Sequence, residues 1–459
     1  MKKNSNFHPS SFRDPDAFIF ENEGKLYRQI NKSYKNDYDL LASSGLYKKL
    51  LKGGVILKHE EVDDELSLLP DRSYKTLLPD NIPFISYPYE WCFEQLKDAA
   101  LLTLKIQKES MDKGMILKDA SAYNIQFHNG KAMLIDIGSF SKYEDGAPWV
   151  AYKQFCQHFL APLTLMLYCD VRSNSLLRNY IDGIPLDLAK SYLPTRAKFN
   201  FGILVHVILH SKSINSYANS GSKIERRVSK TSIYALIDSL RRTIEKLSLS
   251  GAKTEWGEYY SFTNYSDESS VNKRDIISKM IDEVKPNSVW DIGANNGFYS
   301  RIASDKDINT ISFDYDHNAV SKSYYKSKED NEGNILPLIM DFTNPSSNIG
   351  WGQEERFGLK ERGKADLCMS LAFIHHIAIS NNIPLHKIAS FFADISNNLI
   401  IEFIPKEDSQ VQKLLTNRKD IFDDYNKDSF EKAFSEFFKI LRIAPVKDSV
   451  RSLYLMKRF

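Results

Sequence analysis

Five short apolar runs, spaced by helix-length segments, organise the carboxy-terminal half of the chain: Ser288-Val289-Trp290, then residues 310–313, 335–340, 367–374 and 398–401. Strand-length runs alternating with helical spacing predict βαβ units and a parallel sheet. Each run ends on a polar group: Asp291, Asp314, Asp341, the pair His375-His376, and Glu402. The carboxyl ends of parallel strands are where ligands bind in such sheets. Residues 437–443 and 451–459 add two runs that read as a closing antiparallel pair. The amino-terminal half is patterned differently, with a strand at 26–30, a long helix at 93–110 and a hairpin turning at His128-Asn129-Gly130. Its most apolar run, 155–171, is broken by Gln157, His158 and Asp170 and is short for a membrane span, so it reads as a buried helix.

The first run feeds the turn Asp291-Ile-Gly293-Ala-Asn295-Asn-Gly297, and residues 298–303 can start a helix behind it. That strand, turn and helix context is what a nucleotide-type cofactor turn requires. Gly293 and Gly297 let backbone approach a ligand, and Asn295 tolerates left-handed backbone better than most residues. In isolation the turn is either a cofactor loop or an ordinary βα connection. Asp314, at the end of the second run, stands where such sheets meet a ribose diol, and Asp316 two residues on can serve as well.

Taken together, the acidic-x-Gly turn, the acids ending runs two and three and the closing pair resemble the class I S-adenosylmethionine-dependent methyltransferases over residues 255–459. The resemblance implies that Asp291 and Gly293, with Asn295 and Gly297 completing the turn, meet the amino-acid end of the cofactor. It likewise implies that Asp314 takes the ribose hydroxyls and Asp341 the adenine amino group. Asn295 departs from the family's middle glycine. A nicotinamide cofactor fits less well, because a full G-x-G-x-x-G is missing. The chain is also similar to bacterial methyltransferases related to nodulation proteins, through Ile82-Pro-Phe-Ile-Ser-Tyr-Pro-Tyr-Glu-Trp and Ile404-Pro-Lys-Glu-Asp-Ser-Gln-Val-Gln.

Methyl transfer is an in-line displacement that depends on positioning and on a base only where the acceptor must lose a proton. His375 and His376 are candidates for that base. On extended backbone, neighbours point to opposite faces, so one of the two reaches the acceptor and the other packs. Glu402 can orient the acceptor or bind a cation. Trp256, Tyr259, Tyr260, Phe262 and Tyr265 either form a lid over the sulfonium or cover the sheet edge.

A second constellation lies in the amino-terminal half. Asp119 and Asn124 sit in Leu117-Lys118-Asp119-Ala-Ser-Ala-Tyr123-Asn124, and Asp136 opens Asp136-Ile-Gly138 after the hairpin. This resembles the catalytic loop and metal-binding Asp-x-Gly of protein kinases and related small-molecule phosphotransferases, over residues 12–210. The resemblance implies Asp119 as acceptor of the substrate's hydroxyl proton, with Asn124 and Asp136 holding Mg2+ on ATP. A phosphate-covering glycine loop is missing, and Arg28 stands where a strand lysine belongs. The lobe is then an active phosphotransferase or a kinase-like scaffold; Asp and Asn also favour plain turns.

Composition narrows the classes. Lys and Arg total 61 against 59 Asp and Glu, a formal charge of +2 over 459 residues, which gives no global field for nucleic acid. The length calls for two domains. Cys92, Cys156, Cys169 and Cys368 have no paired spacing and read as reduced core thiols, which with an amino terminus lacking an apolar leader points to the cytoplasm. Residues 211–250 hold eight Lys or Arg and three acids, with a flexible linker at 211–230 and a helix at 231–247. Its basic face, with Arg226, Arg227, Arg241 and Arg242, is a solvated helix face or an attractor for an anionic substrate.

The expected architecture is α/β: a kinase-like α+β domain at 1–210, a basic helical linker at 211–254, and a Rossmann-like class I methyltransferase domain at 255–459. The expected activity is S-adenosylmethionine-dependent methylation of a small-molecule or glycan acceptor. Its rivals are a bifunctional kinase-methyltransferase or phosphotransferase, and a non-catalytic adaptor.

Overall fold

The computed structural model describes residues 5–211, 227–249, 267–416 and 419–459. The aromatic segment 255–265, most of the flexible linker and Arg226 lie outside the described residues. The chain divides into two compact units, and the segment Asn348–Arg356 is counted with the first.

The first unit opens with an antiparallel sheet of β1 (Ser5–Phe7), β2 (Ala17–Asn22), β3 (Lys25–Asn31), β4 (His59–Val62) and β5 (Ser73–Pro79), in the order β1-β2-β3-β5-β4. One face buries Phe18, Phe20 and Tyr27 beneath Leu66, Leu68 and Leu69. The predicted long helix forms as Phe93–Asp112, and its capping box, Cys92 with Gln95, satisfies first-turn amides. Beyond it, β6 (Met115–Leu117) pairs with β9 (Phe140–Lys142), and β7 (Ile125–His128) pairs with β8 (Lys131–Leu134). The β7–β8 turn puts Asn129 and Gly130 at φ 51° and 71°, the left-handed pair that a two-residue hairpin demands.

The buried apolar run forms as helix Tyr152–Phe155, a π-helical turn Cys156–Leu160 and helix Ala161–Tyr168. It stops short of 171, and Cys169 behind it is exposed, unlike the buried Cys92, Cys156 and Cys368. The helix read as part of a linker, Lys230–Glu245, lies on Phe93–Asp112. Lys97 Nζ donates to the carbonyls of Glu245 and Leu247, and the Tyr234 hydroxyl to Asp112.

Among the described residues, the second unit is built on seven strands: β10 (Ser288–Ile292), β11 (Asn309–Asp314), β12 (Ile335–Ile339), β13 (Ala365–Ser370), β14 (Ser396–Phe403), β15 (Phe438–Pro445) and β16 (Ser452–Arg458). Their order is β12-β11-β10-β13-β14-β16-β15. The first five are parallel and the last pair antiparallel, as the class I methyltransferase resemblance implies. Strand order reverses between β10 and β13, so the ligand crevice of the sheet opens at the carboxyl end of β10. Alternation sorts the two faces. Val289, Leu367, Met369 and Ile400 meet helix Asp267–Val284 through Ile277, Met280 and Ile281, while Trp290 turns to the other face against Phe313. A bulge between Ile440 and Arg442 interrupts β15. Two expectations are corrected here. The helix behind the glycine turn is a single turn, Arg301–Ser304, because residues 298–300 are spent on the turn itself; and β13 ends at Ser370 rather than running on to 374.

A packing contact inside the first unit is directly testable. Gly202 faces helix Lys230–Glu245, and a Cβ there would come within 1.9 Å of Thr243 Oγ1, 2.5 Å of its Cγ2 and 2.7 Å of its Cβ. Thr243 has little freedom to move, since its hydroxyl donates to the Ser239 carbonyl. Gly202→Ala is expected to cost about 1–3 kcal/mol in denaturant unfolding. Thr243→Ala should recover part of that loss, and additive effects would show that the two residues do not touch.

Candidate active site

The turn leaving β10 is shaped by backbone before any ligand is considered. Gly293, Asn295 and Gly297 all lie in the left-handed region, at φ 77°, 52° and 76°. Asparagine at the family's middle glycine therefore keeps the turn's shape. The amides of Gly293 and Ala294 donate to the Phe313 carbonyl, and the Asn295 amide donates to Asp314 Oδ2 at 2.7 Å. Asp314 Oδ1 accepts the Asp316 amide, while Asp316 itself caps helix His317–Glu329 through the amides of Asn318 and Ala319. Of the two acids at this strand end, Asp316 is thus committed to the helix.

Asp291 is buried and accepts the Ser300 hydroxyl at 2.6 Å. Burial pushes its carboxyl up to about 7, with the Asp314 charge adding to the shift, and pushes Asp314 up to about 6 against the amides that it accepts. Asp341, just past β12, accepts the amide and hydroxyl of Thr343. Asp291, Asp314 and Asp341 thus follow one another across the ends of β10, β11 and β12. Two acidic acceptors around a left-handed turn fit a ligand with amino and hydroxyl donors, and S-adenosylmethionine carries both.

Sequence reasoning missed Arg301, which braces this turn. Its guanidinium donates to the carbonyls of Asn296, Gly297 and Ser323 and pairs with Glu332 at 2.8 Å. The available signal was a cation four residues after the last turn glycine. On the other side, the Phe373 ring closes over Gly293: Cδ2 lies 2.8 Å from where a Cβ would stand.

His375 and His376 do not lie on extended backbone. His375 has helical dihedrals and precedes the π-helical turn His376–Ser380, which brings the two rings to 4.1 Å rather than to opposite faces. Burial holds His375 well below the usual imidazole value and His376 at about 4, with the Arg451 charge acting on both. Both rings are therefore neutral near pH 7. His375 Nδ1 is buried and accepts from or donates to no other described group. Arg451, at the start of β16, is held by a bidentate pair with Asp408.

Glu402 is fully buried in β14, where its Oε2 accepts Lys273 Nζ and the Ala372 amide, each at 2.7 Å. Lys273 was also missed. It lies one helical turn before Ile277 on the sheet-facing stripe, and a charge on an apolar stripe is the signal that marks it.

In the first unit, Asn124 and Asp136 come together through Ser139, whose hydroxyl donates to Asp136 Oδ2 and accepts from Asn124 Nδ2. Asp119 accepts the Ser121 amide within its own loop. Arg28 pairs with Asp136 Oδ1, and its charge holds that carboxyl below its usual range despite burial. Lys118 pairs with Asp16 at 2.6 Å. Asp14, from the same β1–β2 connection, comes within 3.2 Å of where a Gly138 Cβ would stand. Among the described residues no group of three or more His, Cys, Asp and Glu is arranged to hold a metal ion, and no described helix is long and apolar enough to cross a membrane.

Replacing Arg301 by Met should remove three carbonyl contacts and strand Glu332, at a cost of about 3 kcal/mol in denaturant unfolding. A loss below about 1 kcal/mol, the range of surface pairs, would show that the turn stands without its brace.

Comparison with known proteins adds one full-length relative. The chain is 32% identical over 457 residues to nodulation protein NoeA of Rhizobium meliloti (strain 1021), covering 98% of this chain and 95% of that protein. No family model matches. Among solved structures, WbdD, described as a bifunctional kinase-methyltransferase, aligns over 40% of this chain and 39% of its own at 17% identity and TM-score 0.29. The N-methyltransferase NodS from Bradyrhizobium japonicum WM9 aligns over 42% of this chain and 98% of its own, at 9% identity and TM-score 0.32.

Proposed function

This chain belongs to the family of nodulation protein NoeA, and we propose that its seven-stranded unit transfers a methyl group from S-adenosylmethionine to a hydroxyl of a small-molecule or glycan acceptor. The observation that carries this reading is the left-handed turn after β10 with Asp291 and Asp314 beside it at the switch point of the sheet. Asp291 would take the amino group of the methyl donor, Asp314 the ribose hydroxyls and Asp341 the adenine amino group. Gly293, Asn295 and Gly297 would bring backbone against it. The cofactor supplies the activated methyl group; the residues of the chain orient it and exclude water.

The neutral imidazoles support a hydroxyl as the acceptor. In the tautomer whose Nδ1 carries the lone pair, His375 would take the proton that a hydroxyl loses as its oxygen is methylated, and because burial disfavours the charged ring it would pass that proton on rather than keep it. His376, its ring tilted against that of His375, shares the environment and the neutral state.

The kinase-like site supports a scaffold better than a phosphotransferase. Phosphate transfer needs Asp136 free for metal and cations free for phosphates. Here Arg28 takes Asp136, and Asp16 takes Lys118.

Two titrations test these assignments. Hydroxyl and amino donors bind an ionised carboxylate, so affinity for S-adenosylhomocysteine should rise from about pH 5 to about pH 8 as Asp314 and then Asp291 lose their protons. Asp314→Asn should lower affinity about tenfold or more and flatten the lower part of that rise. No binding to the intact protein at any pH would sink the methyltransferase reading. Separately, ATP with magnesium should give no saturable heat up to about 1 mM. Micromolar binding with phosphate transfer, lost in Asp136→Ala, would restore the phosphotransferase reading.

A further inference from the structure

Lys273 and Glu402 form an ion pair with side chains 1% and 0% exposed. Charges this deep are held only where their geometry is well satisfied. Glu402 meets that condition with a second partner, the amide of Ala372, on the same oxygen. Ala372 is a non-glycine residue at φ 50°, a conformation that needs outside support. The next residue is Phe373, whose ring closes on Gly293, and two further on begins the His375–His376 pair. Lys273, at the other end of the ion pair, lies 4.7 Å from the ring centroid of Tyr299, two residues after Gly297. A single buried pair therefore touches helix Asp267–Val284, the segment behind the cofactor turn, the end of β14, and the loop after β13.

We propose that Lys273 and Glu402 are positioning residues of the methyl-transfer site, fixing residues 371–376 so that Phe373 covers the cofactor turn and the two histidines follow in register. This rests on the methyltransferase reading. It gives Glu402 a role through the Ala372 amide rather than through contact with an acceptor or a cation. An apolar residue at 402 would fill the space but leave that amide without its acceptor, and the turn at Ala372 would lose its hold.

The test is a charge cycle with two readouts: calorimetric titration with S-adenosylhomocysteine, and imidazole nitrogen resonances of His375 and His376 in the protein without ligand, assigned by removing each histidine in turn. Glu402→Gln keeps an oxygen for the Ala372 amide and strands Lys273; Lys273→Met strands Glu402. Combined, they remove both charges and keep the acceptor. Each single variant should weaken binding about tenfold and shift both imidazole resonances, and the double variant should return both readouts most of the way to wild type. A merely additive double variant, or a Glu402→Gln protein with normal affinity and unmoved resonances, overturns the proposal. Should the wild-type protein bind no S-adenosylhomocysteine, the methyltransferase reading falls. The resonances then decide alone: a shift reversed in the double variant upholds the positioning role, and unmoved resonances end it.

Discussion

A buried lysine and a buried glutamate that no solvent reaches hold together the edge of the second unit where chemistry would take place. Desolvating either charge is costly, and neither can be lost without stranding the other. That mutual dependence ties a loop of irregular backbone to the interior of the sheet. Lys273 belongs to the same helical stripe as Ile277, Met280 and Ile281, and Glu402 to a strand whose neighbours Ile400 and Ile401 are wholly buried. Loop geometry at the carboxyl edge is thus set by core packing. Arg451 with Asp408 repeats the device where β16 begins, and Arg301 with Glu332 braces the turn after β10.

The two units handle charge in opposite ways. At the turn after β10, Asp291 and Asp314 accept from a hydroxyl and from amides rather than from a paired cation among the described residues, and burial raises their proton affinity. Such carboxylates reward a ligand that brings donors. In the first unit the acid and base of the kinase-like constellation meet one another: Arg28 with Asp136, and Lys118 with Asp16. A polyanion arriving there would have to displace carboxylates already seated on its cations.

Local chemistry was legible in the sequence, and long-range chemistry was not. The strands that carry Asp291 and Asp314 at their carboxyl ends, the left-handed Asn295 and the Asn129-Gly130 hairpin all follow from patterns a few residues long. The run at 367–374 misled because apolar residues continue past the end of β13. Leu371 and Ile374 are buried, but Ala372 turns left-handed, and the Glu402 carboxylate takes an amide that a longer strand would have paired elsewhere. That capture spans thirty positions of sequence, and no local window holds it. Arg301 and Lys273 escaped for the same reason, since their partners Glu332 and Glu402 are far along the chain. Cys169 shows the limit of composition: a thiol without a paired neighbour can be core or surface, and here it is surface.

Among the described residues, the seven-stranded sheet ends in two strands that each pair on one side only, a natural template for another chain to extend. On one border, Pro337 sits in the middle of β12 and has no amide hydrogen to offer. On the other, the bulge between Ile440 and Arg442 breaks the repeat of β15, so an incoming strand could stay in step for only a few residues. A proline and a single extra residue give the sheet two terminal borders that resist fibril-like growth.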